Sequence, residues 1–162
     1  MLSRSVLRNA SAILTFVAAA LLAPQVQAAG SLPETRVVPT RQSFDALVQR
    51  LEKSIVDNKM GLVAQASASK GAAGRGVKIP GNIVLMVFRN DFAVRMLNAS
   101  IPAGIEAPLR IYVTENADNT ATVSYRTPTT IFAPYQSKEL DALAKEMDPI
   151  FERIVGDAAS AQ

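Results

Sequence analysis

The chain has 162 residues, with 17 Lys or Arg against 14 Asp or Glu, and contains no His, Cys or Trp. Without His or Cys there is no imidazole acid–base group, Ser-His-Asp arrangement, thiol nucleophile, disulfide or ordinary zinc ligand set, so neither a cofactor nor a metal is expected. The small net charge is not gathered into a basic stripe, which gives nucleic-acid phosphates no footing.

Arg4 and Arg8 open the chain, an apolar run follows from Ala10 to Leu22, and Val26-Gln27-Ala28 ends in small residues at the right spacing. This is the pattern of a signal peptide spanning 1–28, cut after Ala28. The run is shorter than the roughly 20 apolar residues of a membrane span. No Cys stands beside the cut to carry a lipid. The expectation is therefore an exported protein, periplasmic or secreted, with no stable membrane anchor after cleavage. Removing the leader leaves 15 basic against 14 acidic residues, so the basic character of the whole chain belongs to its first segment. Residues 29–162 suit a single domain, with a core from about residue 36 to about residue 156.

Thr35 to Val38 reads as a short strand closed by Pro39. Ser43 stands at an N-cap position, and Phe44, Leu47, Val48, Leu51 and Ile55 recur at helical spacing up to Gly61, which is expected to end the helix. Leu62 to Ser69 is a second strand, and the Gly-rich stretch Lys70 to Gly81 a flexible loop. That stretch lacks the Lys-Ser/Thr ending of a phosphate loop. Ile83 to Phe88 is apolar without alternation, which predicts a strand buried on both faces. Asn90 or Asp91 is expected to cap a short helix through Met96 and Leu97.

The clearest hairpin follows. Leu109, Ile111 and Val113 alternate with Arg110, Tyr112 and Thr114, the turn falls around Asn116 to Asn119, and Ala121, Val123 and Tyr125 alternate with Thr122, Ser124 and Arg126. Shared faces require Val113 opposite Val123 and Ile111 opposite Tyr125, with Arg110 near Arg126 on the polar side. Ser137 then caps a last helix striped by Leu140, Leu143, Ala144, Met147, Ile150, Phe151 and Ile154, which Pro149 should kink or split. The order β-α-β4-α predicts an α+β two-layer sandwich: a mainly antiparallel sheet of about five strands with helices on one face.

Residues 42–52, 61–64, 108–115 and 123–128 (QSFDALVQRLE, GLVA, PLRIYVTE and VSYRTP) resemble the bacterial domain of unknown function family 302. The resemblance spans about residue 36 to residue 156. It implies a two-layer fold like one half of a TATA-binding protein and implies no settled activity. The most similar-looking branch carries His residues where this chain has Ser69-Lys70 and Pro134-Tyr135-Gln136, and a Gly-Asn-Pro turn where it has Arg89-Asn90-Asp91. Arg110 matches the family's Pro-Leu-Arg.

Two function classes follow. The first is a non-enzymatic binding or interaction module working through the outer sheet face, framed by Arg110, Tyr112, Ser124 and Arg126, with Asn90 near a strand end. Its partner is a small anionic ligand, a protein, or a second copy forming a homodimer; two neighbouring guanidinium groups favour a carboxylate or phosphate. The second is a hydrolase-like or other enzyme using Asp, Glu, Lys or Tyr without metal, with Asn90, Asp91 and Tyr135 as its candidates. Glu106, Glu115 and Asp118 read more simply as loop or turn residues.

Overall fold

The computed structural model describes residues 34–160; the leader and the cut after Ala28 lie outside the described residues. Strand β1 (Thr35–Pro39) leads to helix α1 (Phe44–Asp57), then β2 (Gly61–Ala66), α2 (Ala68–Ala73), β3 (Asn82–Phe88) and α3 (Asn90–Ala99). A 3-10 turn (Ile101–Glu106) precedes the hairpin β4 (Leu109–Glu115) and β5 (Ala121–Arg126). After it come α4 (Pro128–Phe132), a 3-10 turn (Ala133–Tyr135) and the long α5 (Lys138–Ser160). The five strands form one antiparallel sheet in the order β1-β5-β4-β3-β2.

Helices α1 and α5 pack on each other and on one face of this sheet, giving the α+β two-layer sandwich. Leu47, Leu51 and Ile55 of α1 meet Leu140, Leu143, Phe151 and Ile154 of α5 in a core closed below by Ile83, Leu85, Ile111, Val113 and Val123. Tyr125 stacks on Phe151 with ring centroids 6.4 Å apart. Burying side chains of this size contributes about 1.5–3 kcal/mol each, which is why both helices hold to the sheet without a disulfide.

Ser43 caps α1 as its position predicts, accepting from the Ala46 N–H. The helix ends earlier than expected, because Gly61 is not its terminator. Lys59 takes the left-handed conformation (φ 61°), Met60 N–H donates to the Ile55 carbonyl and Lys59 N–H to that of Val56. This is a Schellman ending in which Lys59 holds the left-handed position where a glycine is the commoner choice, anchored by the buried Met60 that follows it. Gly61 instead begins β2.

Five further expectations change. Strand β2 stops at Ala66, because Ser67 turns to cap α2, its Oγ accepting from the Lys70 N–H at 3.1 Å. Residues 68–73, which span the expected end of that strand and the start of the supposed flexible loop, are therefore helical; among Gly71, Gly74 and Gly76, only Gly76 adopts positive φ. Strand β3 is not buried on both faces. Ile83, Leu85 and Val87 are buried while Asn82, Val84, Met86 and Phe88 are half-buried, so the apolar run hides an alternation that only one helix layer completes.

The N-cap of α3 is Arg89, not Asn90 or Asp91, and no side chain caps it. Helix α5 continues through Pro149 without splitting. Proline removes only its own N–H from the ladder, and Phe151, Ile154 and Val155 beyond it are all buried.

Candidate functional site: the uncovered sheet face

Alternation along β4 and β5 sends Leu109, Ile111, Val113, Ala121, Val123 and Tyr125 into the core, and Arg110, Tyr112, Thr114, Thr122, Ser124 and Arg126 to the opposite face. Val113 pairs with Val123 and Ile111 with Tyr125, as the hairpin pattern required. One step further, Arg110 and Arg126 stand opposite each other. The neighbouring strands extend the rows: Thr35 lies across from Arg126 and Met86 across from Arg110, while Val37, Ser124, Tyr112 and Val84 align one row on.

Part of this face is an open groove of about 590 Å³ whose walls include Glu34, Thr35, Arg110, Tyr112, Ser124, Arg126 and Thr130, with the edge of Tyr125. Both arginines are exposed, and Tyr112 keeps 40% of its surface in solvent. Among the described residues neither guanidinium has an ion-pair partner. Like charges directly opposite on a sheet repel mildly, so the pair stabilises nothing by itself. What it offers is two planar forks of donors beside an aromatic ring, a hydroxyl and apolar side chains.

Four of the five residues singled out from the sequence thus come together; Asn90 does not, lying exposed at the start of α3. Thr35 and Thr130 join the groove without having been foreseen, and Val84 and Met86 extend the same face beside it. No local signal existed for any of these four, since both parities of the β3 run are apolar and Thr35 and Thr130 arrive from other segments.

The acid–base candidates lie apart from this groove and are engaged elsewhere. Arg89 donates to both Asp91 carboxylate oxygens, at 2.7 and 3.0 Å, and its guanidinium lies 3.6 Å over the Phe92 ring. The Arg89 hydrogen bonds hold Asp91 below the usual carboxylate range. Arg95 does the same to Glu146 at 2.7 Å. The Tyr135 hydroxyl donates to Glu106 at 3.0 Å, and burial together with that carboxylate pushes the phenol up. Asp118 is lowered by the Thr120 hydroxyl and N–H inside the hairpin turn. Asp148 accepts from the Thr129 N–H at 3.0 Å and hydroxyl at 2.8 Å, tying α4 to α5. Glu115 accepts from the Gly81 N–H at 2.7 Å.

Among the described residues no group of three or more Asp or Glu gathers as a metal ligand set. None of their helices is long and apolar enough to cross a membrane.

The sequence pattern of the domain of unknown function DUF302 matches residues 36–157. No curated protein matches the chain. Among solved structures, the chain is similar to an uncharacterised conserved DUF302 protein from Bacillus stearothermophilus. The two are 18% identical with a TM-score of 0.70, over 78% of this chain and 98% of that one. At this identity the likeness concerns the fold.

Proposed function

The chain belongs to the DUF302 family, and we propose that this member is an exported, non-enzymatic binding module whose outer sheet face takes a small ligand bearing a carboxylate or phosphate. One observation carries the reading: the helices cover a single face of the sheet, and the other holds two opposed guanidinium groups that have no ion-pair partner among the described residues. An anion seated between Arg110 and Arg126 would convert their repulsion into charge-assisted hydrogen bonds. The ligand's apolar body would lie over Tyr112, Val84 and Met86, with Ser124 as a further hydrogen-bonding group.

Charge argues for a ligand rather than a second copy on this face, since stacking two such faces brings four guanidinium groups together with only Glu34 at the margin. The non-enzymatic reading rests on the separation of the ionisable groups: Asp91 and Tyr135 are each committed to their own partner, and neither lines the groove. The export reading rests on the basic, apolar and small-residue succession of the first 28 residues. An N-terminus at Ala29 on the accumulated protein supports it, and an intact Met1 overturns it.

The binding test uses inorganic phosphate, phenyl phosphate and benzoate as probes, followed by NMR on the wild type and on Arg110→Ala. Shifts confined to residues 110–112 and 124–126, reversed by salt and lost in the variant, are the expected result. No shift at millimolar concentrations of any probe rejects an anion site on this face.

A further inference from the structure

The two edges of the sheet are built differently. Edge strand β1 carries Arg36 and Pro39, a charge and a residue with no N–H, which are devices that keep an exposed edge from pairing. Edge strand β2 has neither. From Met60 through Ser69 the sequence contains no charged residue and no proline, and Val63 to Ala66 are exposed. A bulge at Val63 is the one guarding feature, and it leaves Ala64 to Ala66 in regular register with β3.

The helix beside this edge points the same way. Gln65 donates to Glu52, so α1 runs along β2, in the opposite direction because the turn at Asn58 to Met60 reverses the chain. There α1 exposes Val56, 61% open to solvent, between Lys53 and Asp57, which form an ion pair one turn apart. Two copies joined through β2 about a two-fold axis perpendicular to the sheet keep both helix layers on one side. With the axis near Ala64, the Glu52–Gln65 contact places it beside the middle of the 53–57 turn of α1. In that arrangement Lys53 of each copy faces the partner's Asp57, and Val56 loses its exposure. Strand and helix are thus each self-complementary about the same axis.

We infer that the β2 edge is the docking surface for a second copy of this chain, paired antiparallel strand to strand into one continuous sheet of ten strands. Backbone hydrogen bonds supply the contact, and the exchange of charges between the two α1 helices sets its register. The outer faces of both copies stay open, so this inference does not depend on the anion site.

The experiment is sedimentation of the protein as the cell accumulates it, across a hundredfold concentration range, for wild type, Val63→Lys and Ala64→Cys. Wild type should sediment as a dimer, and Val63→Lys should weaken self-association by at least about tenfold, since it brings one cation from each copy into the paired edge, diagonally across the axis near Ala64. Because the chain has no native Cys, mild oxidation of Ala64→Cys should give a single covalent dimer without unfolding. Circular dichroism on each variant separates lost association from lost folding. A wild-type monomer throughout the range overturns the inference. So does a dimer that Val63→Lys leaves intact and Ala64→Cys cannot cross-link.

Discussion

The two faces of the sheet come from the same residues in alternation, yet they obey different rules. On the helix side, Ile111, Val113 and Val123 are completely enclosed, and two of the cations at its margin are paired: Arg89 holds Asp91, and Arg95 holds Glu146. On the outer side Val84 and Met86 are half-buried and Val37 is exposed, and Arg110 and Arg126 face each other with no ion pair to a carboxylate among the described residues. A face selected for stability alone has no reason to oppose two free guanidinium groups. Packing thus explains the first face completely and leaves the second with an unmet charge.

The largest effect that could break this contrast is expected at Phe151, which is fully buried against the sheet and stacked on Tyr125. Phe151→Ala should cost about 3–5 kcal/mol in urea unfolding. A loss under about 1 kcal/mol would mean that the helix layer is not the core. Next comes Gly81→Ala, because a Cβ there would sit 2.9 Å from the Phe44 ring. The expected cost is about 1–3 kcal/mol, and Phe44→Leu in the same chain should recover part of it. Full stability in the single variant would show that α1 stands further from the start of β3.

On the outer face the expectation reverses. Arg110→Ala should change stability by no more than about 0.5 kcal/mol in the same assay, while removing the phosphate and benzoate shifts. Strong destabilisation would make Arg110 a structural residue. Smallest of all is the pH effect of the matched margin. Arg89 lowers the pKa of Asp91 and Arg95 that of Glu146, so each pair's contribution is fully present above the ordinary carboxylate pKa, near 4. It is lost as the pH falls through the lowered folded-state value. Carboxyl NMR titration should find both groups ionised below the usual range, and Arg89→Ala should return Asp91 to it. An ordinary titration of Asp91 in the wild type would leave the helix side no better matched than the outer one.

Much of this architecture was legible in advance. The period-two pattern of residues 109–126 specifies the hairpin register, because a slip of one residue would turn Ile111, Val113 and Val123 to the wrong face. The stripes of α1 and α5 specify their buried sides in the same way. The apolar run 83–88 misled, since both parities are apolar and composition cannot say which one the helices cover. Helix α4 was missed although Thr127-Pro128 is a start signal: Thr127 Oγ1 accepts from the Thr130 N–H, but a five-residue helix also relies on Asp148, nineteen positions beyond Thr129.

Local periodicity by itself therefore determined the hairpin, the two long helices, the α+β class and the meeting of Arg110 with Arg126, because each depends on neighbours a few residues apart. Tertiary structure alone decided that β1 and β2 are the edges, that α4 is tied to α5 through Asp148, and that Thr35 and Met86 extend the arginine row. Those outcomes depend on contacts between distant segments, whose energies come from packing and register across the sheet, and no short stretch of sequence contains both partners.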